Sequence, residues 1–364
     1  MQALYALPDH VVVRKLVPHA GRTTLDTRAA RKRIRSNRGL IPPAIDPAKG
    51  GKVLWGDLGQ HAFTDWQFLY TVKRLAEAQA IGEAFTTGID VLRSDEILDR
   101  PLYPSGFIFH ISRCGSTLLA KALARSPRNV IINQGGPLQR GLWAVLTDDW
   151  QRELIHSDEN LALFRHLVLA MTRQRQDGQD RSFIKFISWN VLYLDFITRA
   201  FPDVPCLFLY RDPVEVIASV AKETTAALLA KGTREGAFLI GESNAETDAM
   251  SDPAYLAGCY AHYFRTALAA NSGRILYLNY KDLKPENLSM ILDRGLGYNP
   301  SRKELSSMRE QFHFHAKDDS DTTKFLADSA KKQATMAVRD RRIVMRTCAE
   351  LFGQLDRSNH NFSS

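Results

Sequence analysis

FIFHISRCGSTLLAKAL, residues 107–123, holds three local signals in one short stretch. Phe107–Ile111 is an apolar run of strand length, and Arg113, Cys114, Gly115 and Ser116 form a turn. From Thr117 onward the apolar residues fall at helical spacing. The glycine permits a tight backbone turn, while unpaired N–H groups at a helix start, with the positive end of its dipole, favour an oxyanion. Arg113 adds a fixed charge with a fork of donors, and Ser116 and Thr117 add hydroxyls. A Ser/Thr-capped helix after a turn, with Arg113 exposed to water, would use the same residues. A triphosphatase loop, G-x-x-x-x-G-K-[ST], does not fit: Gly115 is followed by Ser116, and His110 stands where the first glycine should be.

Outward from this stretch, short β-rich runs alternate with helical patterns. The runs are FIFHI (107–111), NVIIN (129–133), SFIKFIS (182–188), CLFLY (206–210) and RILYLNY (274–280). Helices are predicted between them at 117–125, 158–175, 189–200, 213–230 and 254–271. Such alternation predicts an α/β fold with a mostly parallel central sheet and helices on both faces, a three-layer architecture like that of P-loop nucleoside triphosphatases. Sheets of this kind bind ligands beyond the carboxyl ends of their strands. Trp66–Leu75 has helical spacing, 231–253 reads as a glycine- and acid-rich loop or lid, and 327–357 reads as a charged helix.

A second strand-to-helix junction, CLFLYRDPVEVIASVAKE (206–223), carries its own anion signal. Arg211 sits at the mouth of the strand, with Ser219 eight residues on. Asp212, Pro213 and Glu215 make an Asp-Pro-x-Glu helix start with a capping box. Four apolar residues before an acid also resemble a magnesium-binding strand, but capping accounts for Asp212 more simply. Two anion sites at neighbouring strand ends would suit a nucleotide phosphorylated at both its 5′ and 3′ positions.

Composition sets the frame. With 364 residues, 45% of them hydrophobic, the chain can bury a core, and no apolar run reaches the ~18 residues of a membrane span. No secretory signal is recognised at the start, and the cysteines 114, 206, 259 and 348 show no CxxC spacing. Disulfides and zinc are therefore not expected, and a reducing cytoplasm is. The net charge of +8 is concentrated: residues 1–52 hold eleven Lys/Arg against three Asp, and the rest balances at 37 of each sign. Residues 1–52 are expected to be a basic N-terminal arm ending in the turn-rich LIPPAIDPAKGGK. Residues 53–364 are expected to form a single α/β domain with its core at about 105–330. The run ARKRIRSNR (30–38) could bind nucleic acid or anionic lipid, or be a solvated basic face. No zinc-finger, aromatic-basic or helix-turn-helix pattern accompanies it, so nucleic acid is not an expected partner. Oligomeric state is not read from the sequence.

The two junctions together resemble the PAPS-dependent sulfotransferases, whose donor is 3′-phosphoadenosine-5′-phosphosulfate. In that family a Lys or Arg before Ser-Gly-Thr-Thr holds the 5′-phosphosulfate. Arg113-Cys114-Gly115-Ser116-Thr117 matches it with cysteine in place of serine. An Arg and a Ser eight apart hold the 3′-phosphate there, and Arg211 and Ser219 match in type and spacing. RILYLNYKDLK (274–284) resembles a later strand and turn, and HAKDDSDTTKF (315–325) the closing loop, where Lys317 could reach the donor. The resemblance spans about residues 105–330. It implies sulfuryl transfer from PAPS as co-substrate to a hydroxyl or amine of a small-molecule or carbohydrate acceptor, giving PAP with no metal required. Trp143 and Trp150 are available to line an acceptor pocket. Lys185 corresponds to a lysine near the transferred group; strand alternation alone would let its ammonium reach the surface.

The sequence departs from its relatives at the general base. Where many have a histidine after the lysine, this chain has Phe186 and Ile187, then Ser188, Trp189 and Asn190. Where others have a glutamate after the second strand, it has Asn133 and Gln134. His110, His313, His315, Glu223 and Glu242 are the candidates, with inactivity or a very acidic acceptor also open. Alternative functions are a divergent P-loop nucleotide kinase or phosphotransferase, which would need magnesium ligands and a loop lysine, and a non-catalytic PAP-binding module.

Overall fold

The computed structural model describes residues 7–17, 19, 23–270, 273–317 and 336–363. Among the described residues eight strands form two sheets: a three-stranded sheet of order β1-β2-β3 and a five-stranded parallel sheet of order β5-β6-β4-β7-β8. The strands are β1 Leu40–Asp46, β2 Lys52–Asp57, β3 Ala84–Gly88, β4 Pro104–His110, β5 Asn129–Asn133, β6 Arg181–Lys185, β7 Cys206–Tyr210 and β8 Ile275–Asn279. With helices around the parallel sheet, the fold is α/β. The five apolar runs are its five strands, because continuous Ile, Val, Leu and Phe suit strands covered on both faces.

The chain divides into two compact units, the first of residues 1–105, 120–186 and 199–202, the second of 106–119, 187–198 and 203–364. In the first unit β1 and β3 pair antiparallel with β2. The stretch read as turn-rich is thus largely strand: Pro42 and Pro43 lie where the register shifts between Ile41 and Ala44. Proline lacks the N–H of a regular ladder and is tolerated at the bulge of an edge strand. The basic run forms the helix Thr27–Ser36, capped by Asp26, with Ala30 and Ile34 buried. Arg31 and Arg33 pair with Glu96 and Glu83. Arg173, fully buried, donates to the carbonyls of Ile34, Asn37, Leu40 and Asp99. Burial lowers its pKa to about 10, so the guanidinium stays charged and ties four backbone acceptors together. The helix expected from Trp66 occupies Phe68–Glu77. Trp143 is a core residue rather than a pocket wall: it is fully buried and its Nε1 donates to the Leu138 carbonyl at 2.8 Å.

In the second unit β4 and β8 pair parallel with β7. Helix Asp252–Ala269 packs on Val338–Asp356, and Tyr210, Phe264 and Phe352 interlock edge to face or tilted. Residues 327–335 of the predicted C-terminal helix lie outside the described residues. Beyond β8, Tyr277 N–H donates to the His360 carbonyl and Phe362 N–H to the Tyr277 carbonyl, so the C-terminal residues lie along that strand.

Three predicted boundaries differ. β6 ends at Lys185, and Ser188–Tyr193 is a 3-10 turn leading into helix Leu194–Ala200. The predicted helix 213–230 stops at Val220, and after a turn a short helix follows at Ala226–Leu229, capped by Thr225. The stretch 231–253 is not one loop but holds helices Arg234–Ile240 and Asn244–Ala249. Thr233 and Ser243 cap their starts and Gly241, in the left-handed region, ends the first. Glycine and acids there are helix punctuation, not an unstructured composition.

Candidate functional site

Strand register in the second unit decides which loops meet. His110 pairs with Leu209, and Tyr210 with Asn279, so the residues that leave β4, β7 and β8 emerge side by side. From β4 come Arg113–Thr117, from β7 Arg211, and from β8 Tyr280.

The first loop is narrow by construction. Arg113 and Gly115 both have positive φ, 56° and 84°. A Cβ on Gly115 would sit 2.6 Å from Leu283 and 2.9 Å from Tyr280, so glycine is required for both conformation and space. Cys114 turns inward: its thiol donates to the carbonyls of Ile111 at 2.8 Å and Leu209 at 3.4 Å. Only its backbone therefore faces the loop. Ser116 begins the nine-residue helix Ser116–Ala124 and is buried, while Thr117 is half-buried. His110, buried at the end of β4, has Nδ1 at 2.6 Å from the Ile111 carbonyl. A carbonyl only accepts, so Nδ1 carries the proton and Nε2 is the basic nitrogen.

Arg211, 5% exposed, is fixed on three sides. Its Nε donates to Glu215 at 2.7 Å, its Nη1 donates to the Arg113 carbonyl at 3.3 Å, and its plane lies 4.2 Å from the Tyr280 ring centroid. Asp212 caps the helix Pro213–Val220 by accepting from Val214 N–H at 2.8 Å. Among the described residues no group of three His, Cys, Asp or Glu side chains is placed to hold a metal ion. Ser219 is buried on the last turn of that helix, and its carbonyl accepts from the N–H groups of Lys222 and Glu223.

Glu223 completes the cluster. Arg113 Nη1 donates to Glu223 Oε2 and Nη2 to the Glu223 carbonyl, both at 2.7 Å, while Lys317 Nζ bonds the other carboxylate oxygen. Burial pushes the Glu223 carboxyl up, but the hydrogen bonds and charges of Arg113 and Lys317 outweigh it and hold the pKa at about 2. Burial and the Arg113 charge lower the Lys317 ammonium, against the pull of Glu223.

Within one unit the structure thus brings together Arg113, Cys114, Gly115, Arg211 and Lys317, with Ser219 joined through the Glu223 turn. Lys185 belongs to the other unit, at the end of β6. It is 1% exposed, so its ammonium does not reach the surface, and its carbonyl accepts from Gln134 N–H at 2.7 Å. His313 and His315 are exposed, and residues 318–325 of the expected closing loop lie outside the described residues. Sequence reasoning missed Tyr280 and Glu215 as partners of Arg211. The parallel register of β7 and β8 places Tyr280 beside Arg211, and Glu215 is one helical turn beyond Arg211, so both signals were present.

A model of the sulfotransferase family matches residues 104–291, just over half of the chain. No curated protein matches the sequence. Among solved structures, a sulfotransferase from Mycobacterium tuberculosis H37Rv is similar at 13% identity and a TM-score of 0.41, over 92% of this chain and 96% of that one. The sulfotransferase domain of an olefin synthase from Synechococcus PCC 7002 is similar at 18% identity and a TM-score of 0.39, over 70% of this chain and 96% of its own.

Proposed function

The chain belongs to the sulfotransferase family, and we propose that it transfers a sulfuryl group from PAPS to a hydroxyl or amine of a small-molecule or carbohydrate acceptor, releasing PAP. In this reading Arg113, Gly115, Ser116, Thr117 and the backbone N–H of Cys114 hold the 5′-phosphosulfate, and Arg211 and Ser219 hold the 3′-phosphate. Lys317 neutralises the donor from the closing side. The acceptor oxygen or nitrogen forms a bond to sulfur as the bond from sulfur to the phosphate oxygen breaks, and the negative charge stays on PAP. Arg113 and the loop N–H groups stabilise that charge, as cations and amides do in phosphoryl transfer. The acceptor proton goes to His110 Nε2, the basic nitrogen of a ring whose Nδ1–H is committed to the Ile111 carbonyl.

The observation that carries the reading is the 3.3 Å bond from Arg211 Nη1 to the Arg113 carbonyl. It supports two anion-holding loops lying side by side in one unit, as a nucleotide phosphorylated at both its 5′ and 3′ positions would need. The four cysteines, buried thiols outside any disulfide, support a cytoplasmic setting, and no described helix is long and apolar enough to cross a membrane. A thermal-shift titration tests the donor: PAP should stabilise the protein without magnesium. Stabilisation by ATP–Mg²⁺ with PAP inert would overturn the proposal in favour of a phosphotransferase. Transfer of labelled sulfuryl from PAPS to an acceptor extract would separate an enzyme from a binding module.

A further inference from the structure

Glu223 stands out because an acidic side chain occupies the place where the donor reading puts an anion. Each of its carboxylate oxygens meets a different cation, Oε2 facing Arg113 and Oε1 facing Lys317. The same guanidinium also grips the Glu223 backbone carbonyl, at 2.7 Å. Two oxygens shared between an arginine fork and an ammonium are what a phosphate or sulfate would present to these groups. The residue sits on the turn between helices Pro213–Val220 and Ala226–Leu229, with its side chain half exposed. That turn hangs from the Ser219 carbonyl, one residue's reach from the hydroxyl expected to meet the 3′-phosphate.

We propose that Glu223 is a built-in surrogate for the donor's anionic group: its carboxylate fills the Arg113–Lys317 position in the donor-free chain and is exchanged for the donor's phosphosulfate on binding. The inference rests on the donor reading above for the identity of the displacing anion, though not for the existence of the anion position. Without its surrogate, the donor-free site would hold two like charges facing each other. With it, the cations stay ordered, and an incoming ligand must displace an internal competitor. Glu223 is thus a positioning residue that lowers the apparent affinity for any anion at this position. On release its carboxyl is no longer held by two cations, so binding changes its charge environment as well as its place.

Calorimetric titration of the full chain at fixed ionic strength provides the test, with inorganic pyrophosphate and PAP as probes and thermal melts checking that each variant is folded. Glu223→Gln should bind pyrophosphate about five- to tenfold more tightly than the native chain, the range expected for losing one half-exposed ion pair as competitor. Glu223→Asp keeps the charge but withdraws the carboxylate by one methylene, and it should also bind more tightly. No gain in Glu223→Gln overturns the proposal. So does a gain in Glu223→Gln with none in Glu223→Asp, which would mean that the charge acts only at a distance. Tighter pyrophosphate binding with PAP inert in every variant would sustain the surrogate and remove the donor reading. PAP bound equally by all, with pyrophosphate unchanged, would do the reverse.

Discussion

The two strand-to-helix junctions of the second unit use an arginine in opposite ways. Arg211 is buried, bonded to a carboxylate one turn away, stacked on Tyr280 and tied to the loop backbone. Arg113 leans outward, and its guanidinium is held by Glu223 from a solvent-exposed turn. The first arginine is part of the fold before any ligand arrives; the second is held by a partner that can leave. In the proposed donor pose, rigidity at Arg211 and exchange at Arg113 would fix where the donor sits and leave its reactive end adjustable.

Replacing Arg211 should break this contrast most severely. Arg211→Ala leaves Glu215 as a buried carboxylate without its cation, at a cost of about 3 kcal/mol in urea unfolding. It should also weaken PAP about a hundredfold while weakening AMP far less, since only PAP has the 3′-phosphate. Equal losses for the two nucleotides would remove Arg211 from that role. The double change Arg211→Met with Glu215→Leu should recover stability to within about 1 kcal/mol and leave PAP binding lost.

Next comes the loop itself. Gly115→Ala combines a positive φ with a Cβ pressed onto Leu283 and Tyr280, and should cost about 2 kcal/mol by chemical unfolding. Arg113→Ala should then give the mirror image of Arg211→Ala. Its stability should change by less than about 1 kcal/mol, because the pair it removes is partly exposed. Catalytic turnover should nonetheless fall steeply in the labelled-transfer assay.

The smallest effect concerns acid. The Glu223 carboxyl, held at about 2, lies below its ordinary value, so its contribution to stability is present above the unfolded pKa and fades as pH falls toward the folded one. The melting-temperature difference between the native chain and Glu223→Gln should be constant from neutral pH to about 5 and shrink below about 4.5. Half exposure keeps that difference small. A difference that grew in acid would contradict the pairing.

Much of the fold was legible because buried parallel strands are written as unbroken apolar runs, and all five were found. Phe186–Ser188 was misread as strand because the apolar run continues past the point where the chain turns. The helices in 231–253 were missed because Thr233, Ser243 and Gly241 look like loop residues until their capping bonds are seen. At the site, residue type and spacing singled out Arg113, Gly115, Arg211 and Ser219, and the family resemblance pointed to Lys317. The bond between Arg211 and the Arg113 carbonyl spans 98 residues, and the meeting of Glu223 with Lys317 spans 94. No local pattern encodes such contacts; they follow only from strand order and register. The inward direction of the Cys114 thiol was not legible either, since a one-letter match carries no rotamer.

The C-terminal residues laid along β8 have a consequence for the molecule in solution. A terminal strand of a sheet presents free N–H and C=O groups that invite pairing with another chain. Here Tyr277 gives its N–H and C=O to His360 and Phe362, and Asn361 donates to Tyr210 Oη at 2.6 Å, so the chain's own tail shields that border. Trimming those few residues would uncover a ready template for intermolecular strand addition, and solubility would then depend on a segment remote from any chemistry.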